Sequence, residues 1–180
     1  MPESIFIIKI YLVMNTSTMI TLAIIIAIII VLYMVISTNR KNKEKKKLQM
    51  LTDLASKQNC NITKYELYSK ISLGLDEKNN FLFYLKTTGE NAETRHINLT
   101  EVKKCKVVNT SRTVRFNNSN SIVVERLEIS FEPNGKAAEP VLLEFYNVDT
   151  DGSMLNGELL LAEKWSAIVN ERLNAKKLVL

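Results

Sequence analysis

The sequence predicts an α+β protein: an N-terminal transmembrane helix followed by an antiparallel bent sheet or partly open barrel capped by a C-terminal helix. Three observations predict it. Residues 10–39 carry no charge, and their centre, MITLAIIIAIIIVLYMVI, is almost wholly aliphatic. The middle of the chain breaks into short apolar runs, some alternating with polar residues at the strand period, separated by turn-forming clusters. Its last stretch instead repeats apolar residues at helical spacing.

The chain has 180 residues, enough for one anchor and one domain of ordinary size. The expected division is a short N-terminal segment over 1–17, a transmembrane helix over 18–38, a basic juxtamembrane linker with a short helix over 39–61, a soluble domain over 62–175 and a tail over 176–180. The net charge of +5 is carried by one place: Arg40 to Lys47 holds six basic residues against the single Glu44, so everything else sums to zero. A nucleic-acid binder spreads cations over its folded surface to neutralise phosphates, so no nucleic-acid partner is expected. Cys60 and Cys105 lack the CxxC or His/Cys spacing of a zinc site, and both read as free thiols, although the count alone would also permit one disulfide.

A helix over Met19 to Ile36 rises about 27 Å at ~1.5 Å per residue, close to the roughly 30 Å of bilayer hydrocarbon. A core helix would show a polar face, and Ala23 to Val31 has none. A cleaved signal peptide would have a basic leader and a small-x-small exit. Here Lys9 is the only upstream base, and the exit reads Ser37-Thr38-Asn39-Arg40. The expectation is a retained single-pass anchor. Positive residues beside a span stay in the cytoplasm, which puts the C-terminal domain on the cytoplasmic side of the inner (plasma) membrane. The bilayer is thus the first expected partner. Arg40, Lys41, Lys43, Lys45, Lys46 and Lys47 are candidate contacts to lipid head groups, each worth about 1 kcal/mol beside an anionic leaflet.

Beyond the anchor, Leu48, Leu51, Leu54 and Ala55 mark a short helix within Glu44 to Gln58 that continues from the membrane and packs lightly. Ile71 to Leu75 and Phe81 to Leu85 flank the polar Asp76-Glu-Lys-Asn-Asn80 as a hairpin. Further strands are expected over Arg95 to Leu99, Val102 to Arg115 and Ser121 to Glu132, with Asn117 to Asn120 as a loop tip. Pro133-Asn-Gly135 ends that run, and Val141 to Tyr146 is the last strand. Asp149 to Gly152 reads as a solvated loop. In the closing helix, Glu158 to Asn174, Ala162, Trp165, Ile168, Val169 and Leu173 share one face; Asn170 and Arg172 fall on or near the other.

The hairpin Ile71 to Leu85, the strand Ile122 to Phe131, the LLEFYN segment at Leu142 to Asn147 and the AEKW helix around Trp165 together resemble the pleckstrin-homology-like superfold, over about Ser69 to Leu173. What the resemblance implies is a bent sheet sealed at one end by the helix. LGLDEKNNFLFYLK, KCKVVNTSRTV, LEFYN and AEKW also resemble segments of small uncharacterised single-pass membrane proteins of Bacteroidetes type, a resemblance that implies no activity.

Chemistry-bearing patterns are sparse. His96 is the sole histidine and lacks a catalytic partner in sequence. No phosphate-cradling glycine motif is present, and no cofactor, metal or catalytic residue is expected. Asn147, Asp149, Asp151 and Asn156 offer oxygen ligands but lack the closing acidic residue of a calcium loop. Arg112 and Arg115, among hydroxyl side chains, are candidate contacts to an anion or a protein partner. The function expected is a non-enzymatic binding or scaffold module at the membrane. Anionic-lipid recognition through the basic segment, and an enzyme with an unrecognised site where His96, Arg112 and Asp149 meet, remain as alternatives.

Overall fold

The computed structural model describes residues 16–89, 91–116, 119–135, 139–152 and 154–177. The expected N-terminal segment up to Asn15, the tip residues Asn117 and Asn118, and the end of the tail lie outside the described residues. Helix α1 is Thr16–Ser56, and the chain divides into two compact units, Met1–Lys46 and Lys47–Leu180.

In the first unit the aliphatic side chains of α1 are exposed on every side: Ile20, Ile29 and Ile36 stand at 60, 59 and 66 %. None of the most apolar window is buried. Among the described residues, this is the one helix long and apolar enough to cross a membrane. Its interior hydroxyls are satisfied locally, Thr21 and Thr38 donating to the Thr18 and Met34 carbonyls at 2.9 and 2.8 Å. Such back-bonding spares these two hydroxyls a need for water.

Among its described residues, the second unit holds seven strands: β1 (Lys64–Tyr68), β2 (Ile71–Asp76), β3 (Phe81–Thr88), β4 (Asn91–Asn98), β5 (Val102–Phe116), β6 (Ser119–Pro133) and β7 (Val141–Asn147). One helical turn, α2 (Val148–Asp151), precedes the closing helix α3 (Glu158–Lys177). The strands form two antiparallel sheets, β1-β2-β3-β4 and β5-β6-β7. The architecture is therefore α+β, with an apolar N-terminal helix, two antiparallel sheets and a C-terminal helix.

Sequence reading passed over β1, because Lys64-Tyr-Glu-Leu-Tyr68 mixes charge with aromatics and leaves its first residues exposed. β4 begins at Asn91 rather than Arg95, and Leu99 belongs to a 3-10 turn capped by Asn98. Ser119 and Asn120, expected in a loop, extend β6.

The continuous apolar run Phe81 to Leu85 has a reason: β2 and β3 are buried on both faces. One face carries Ile71, Leu73, Leu75, Leu82 and Tyr84 into the main core, against Leu127, Ile129, Phe131, Phe145 and Trp165. Phe83 and Leu85 point the other way and meet Leu51, Ala55 and Cys60. Light packing of the α1 end is thus corrected, since Leu51 and Ala55 are fully buried. Burying a leucine side chain stabilises by about 1.5–3 kcal/mol. Gly74 lets this layer approach: a Cβ there would lie 2.9 Å from both Ile62 Cδ1 and Leu51 Cδ2.

The closing helix seals the main core with Leu161, Ala162, Trp165, Val169 and Leu173. Trp165 is 1 % exposed, and its indole N–H donates to Glu66 Oε2 at 2.8 Å, tying α3 to β1. Asn170 and Arg172 do not point to solvent as their helical phase suggested. The Asn170 amide accepts from the Cys105 N–H at 3.1 Å and donates to the Cys105 carbonyl at 2.8 Å. It pairs with the outer edge of β5 as another strand would, which protects that edge at Cys105. Arg172 reaches the β2–β3 turn, donating to the Glu77 carbonyl and, at 3.1 Å, to Asn80 Oδ1.

Candidate functional site

A buried polar cluster lies where β3, β7 and α2 meet. Lys86 ends the apolar run of β3 and is only 4 % exposed. Its ammonium contacts Glu144 Oε1 at 2.8 Å and Asp151 Oδ2 at 2.9 Å. Asp151 also binds Lys70 at 2.7 Å and accepts the Asn147 N–H at 3.0 Å. Glu144 accepts from the Asn147 side chain at 2.9 Å, and Arg126 stands 3.6 Å from it. The Tyr84 hydroxyl closes the cluster on the Glu144 carbonyl.

Local sequence explains the placement. The Asn147 side chain accepts from the Asp149 N–H at 3.1 Å, which starts the helical turn and swings Asp151 back under β7. Gly152, at φ +88°, ends the turn, and its carbonyl accepts the Tyr146 hydroxyl at 2.5 Å. The solvated loop expected here is thus a cap on a buried ion network, and Asp151 is taken by lysines instead of being open to a cation.

Electrostatics lock the cluster in one charge state. Burial alone would lower the Lys86 pKa, but the hydrogen bonds to Glu144 and Asp151 outweigh it and raise the net value. Burial would raise Asp151, yet Lys70, Lys86 and the Asn147 N–H hold it below the ordinary carboxylate range. An ammonium so held stays protonated and cannot serve as a base or Schiff-base amine near neutrality. The thiols are equally inert: burial pushes Cys105 up to about 11, and burial together with Asp76 raises Cys60. Tyr84 is raised as well, by burial first and then by Glu93 and Glu144.

Two grooves share residues with this cluster. One, of about 220 Å³, is lined by Tyr68, Lys70, Asp151, Met154 and Glu158 among others. The second, of about 440 Å³, is lined by Arg112, Glu125, Arg126, Glu128 and Asp149. Arg112 and Asp149 therefore share a groove, while His96 stands on β4, exposed, with its ring 6.4 Å from that of Phe81. Among the described residues, no group of three or more His, Cys, Asp or Glu is placed to hold a metal ion.

Arg112 and Arg115 are exposed on β5, but three positions apart on a strand they face opposite ways, and one anion cannot engage both. Arg112 pairs with Glu125 at 3.0 Å. In the basic segment, Lys41, Lys43, Lys45 and Lys46 are exposed, and Arg40 makes an exposed pair with Glu44 at 3.1 Å. At about 100° per residue these cations surround the helix instead of lining one face. Lys47 differs: it is half-buried and donates to the Ser69 carbonyl in the β1–β2 turn.

Sequence reasoning missed Lys70, Lys86, Arg126 and Glu144. The signal was present in FLFYLK and LLEFYN, where a charge interrupts or ends a continuous apolar strand and has to be paired once buried.

In comparisons with known proteins, the chain matches no family model, no curated protein and no solved structure.

Proposed function

We propose that this protein is a membrane-anchored binding or scaffold module without catalytic activity. Its single span lies at about residues 18–38, and its C-terminal domain is cytoplasmic, on the inner (plasma) membrane. The observation that carries the reading is the contrast within α1, whose aliphatic stretch has no buried side, next to a domain with a complete core of its own. Exposed isoleucine on every face is unfavourable in water and favourable in lipid. The collar of cations around the helix from Arg40 to Lys46 suits an axis crossing the head-group layer, with the positive side inward.

The four-strand and three-strand sheets with one closing helix support a pleckstrin-homology-like reading of the domain. The absence of catalysis is supported by chemistry, since the buried lysine and both thiols are held protonated and His96 lies apart from the grooves. A protein partner is then recruited in the plane of the membrane. Affinity capture with the detergent-solubilised full chain is expected to recover the same partner repeatedly; recovery of nothing from cross-linked membranes contradicts it.

A second reading, recognition of anionic lipid, is favoured by the five exposed cations from Arg40 to Lys46. If they bind lipid, a fragment beginning at Arg40 floats with vesicles containing phosphatidylglycerol, stays behind with neutral ones, and is released by salt. Equal flotation with both vesicles removes this reading.

A further inference from the structure

β5 and β6 pair along their whole length, but β7 covers β6 only between Arg126 and Phe131. Residues 119–125 of β6 therefore present an outer edge that, among the described residues, no strand occupies. A bulge between Thr110 and Ser111, opposite Glu125, marks the base of this two-stranded arm. Beyond that bulge and Glu125 the edge is unguarded, with neither lysine nor proline along 119–125. Its middle residue, Ile122, is 76 % exposed, the most exposed large apolar side chain described in the domain.

The two edges of the arm differ in charge. On β5, Arg115 is exposed beside the Arg112–Glu125 pair, so joining two copies there would gather two cations beyond those pairs. Along 119–125 of β6 the only charge is Glu125, which pairs with Arg112 of the same arm at 3.0 Å. Like charges set opposite one another destabilise a strand pair, whereas β-branched side chains stabilise it. The stretch Ile122-Val-Val124 meets the second condition.

We propose that residues 119–125 form a self-association edge, pairing antiparallel with the same stretch of a second copy of this chain. The free length fixes the register. Beyond Glu125 the edge is filled by β7, and β6 begins at Ser119, so a two-fold pairing that uses the whole stretch centres on Ile122. Ile122 then lies against Ile122 of the second copy, and Asn120 against Val124. The two Ile122 side chains cover one another on the face they share with Val124, which is half-buried against the main core of its own copy, and the two three-stranded sheets become one continuous sheet.

The test uses the full chain in membranes or micelles. Ile122→Cys is expected to form an intermolecular disulfide under mild oxidation, because residues opposed at a two-fold lie within disulfide reach. Thr113→Cys is the control; it sits across the strand pair from Ile122 on the same face of the same arm, but away from the joined edge. The native thiols are buried and free, so they give little background. In the second arm, Ile122→Lys puts two cations at the two-fold and shifts the wild-type dimer to monomer, while unchanged Trp165 fluorescence reports an intact core. Equal cross-linking at 122 and 113 overturns the proposal. So does an Ile122→Lys variant of unchanged oligomeric state, including one that only loses affinity for vesicles, which would make the bilayer the occupant of this arm.

Discussion

The strands β2 and β3 and the arm of β5 and β6 solve opposite problems with the same backbone. β2 is buried at every position, covered on one face by the main core and on the other by Leu51 and Ala55. The arm keeps Ser111, Arg112, Thr113 and Ile122 in the open. A strand covered twice is fixed by packing and tolerates little change. A strand with an open outer edge contributes less to stability and is left to interactions with other molecules.

The comparison breaks hardest at the charge that borders the covered sheet. Lys86→Ala leaves Glu144 and Asp151 facing each other without their buried cation, and is expected to cost about 3–5 kcal/mol in urea unfolding. Lys86→Met, which keeps the stem, should lose nearly as much. If alanine costs under about 1 kcal/mol, the network is not what joins β3 to β7.

Next in size is the tight layer at Gly74. Gly74→Val drives methyl groups into Leu51 and Ile62, with an expected loss of about 1–3 kcal/mol and a lower Tm. A neutral result would mean that the α1 end is free to lift from the sheet.

Much of this contrast was legible in the sequence. The aliphatic run, the hairpin around Asp76, the long strands and the Trp165 helix follow from period and turn chemistry. What was not legible depends on contacts distant in the chain. Lys64 to Tyr68 is a strand because Ile71 to Leu75 pairs with it, not because of its own composition. Asn170 is a polar residue of a helix until the β5 edge needs a partner. Asp151 looked solvated because Lys70 and Lys86, which bury it, lie more than sixty positions away. Of the candidate contacts, the exposed cations Arg40 to Lys46 stand where composition put them, whereas Arg112 and Arg115 are separated by strand parity.

A smaller effect is expected from the β2–β3 turn as pH falls. Burial would raise Asp76, but hydrogen bonds from Asn79, Asn61 and Lys78 outweigh it and hold the carboxyl at about 2, below its ordinary 3.8. A depressed pKa stabilises the fold above the ordinary value, and the contribution fades as pH drops from about 4 to about 2. It amounts to about 2 kcal/mol at neutral pH. The stability gap between wild type and Asp76→Asn should therefore narrow over that range; a gap independent of pH would assign it to geometry instead of charge.

The smallest effect belongs to the arm. Ile122→Thr, on an exposed edge, should change the stability of the isolated fold by less than about 0.5 kcal/mol. A larger loss would show that the arm is packed after all.

Protease protection tests the membrane reading most directly. With an epitope fused after Leu180, protease added to intact spheroplasts should leave the epitope untouched and remove it only after lysis, with the chain staying in the carbonate-washed membrane pellet. Loss of the epitope before lysis, or recovery of a soluble chain that begins beyond Ile36, would contradict a retained anchor with its domain inside the cell.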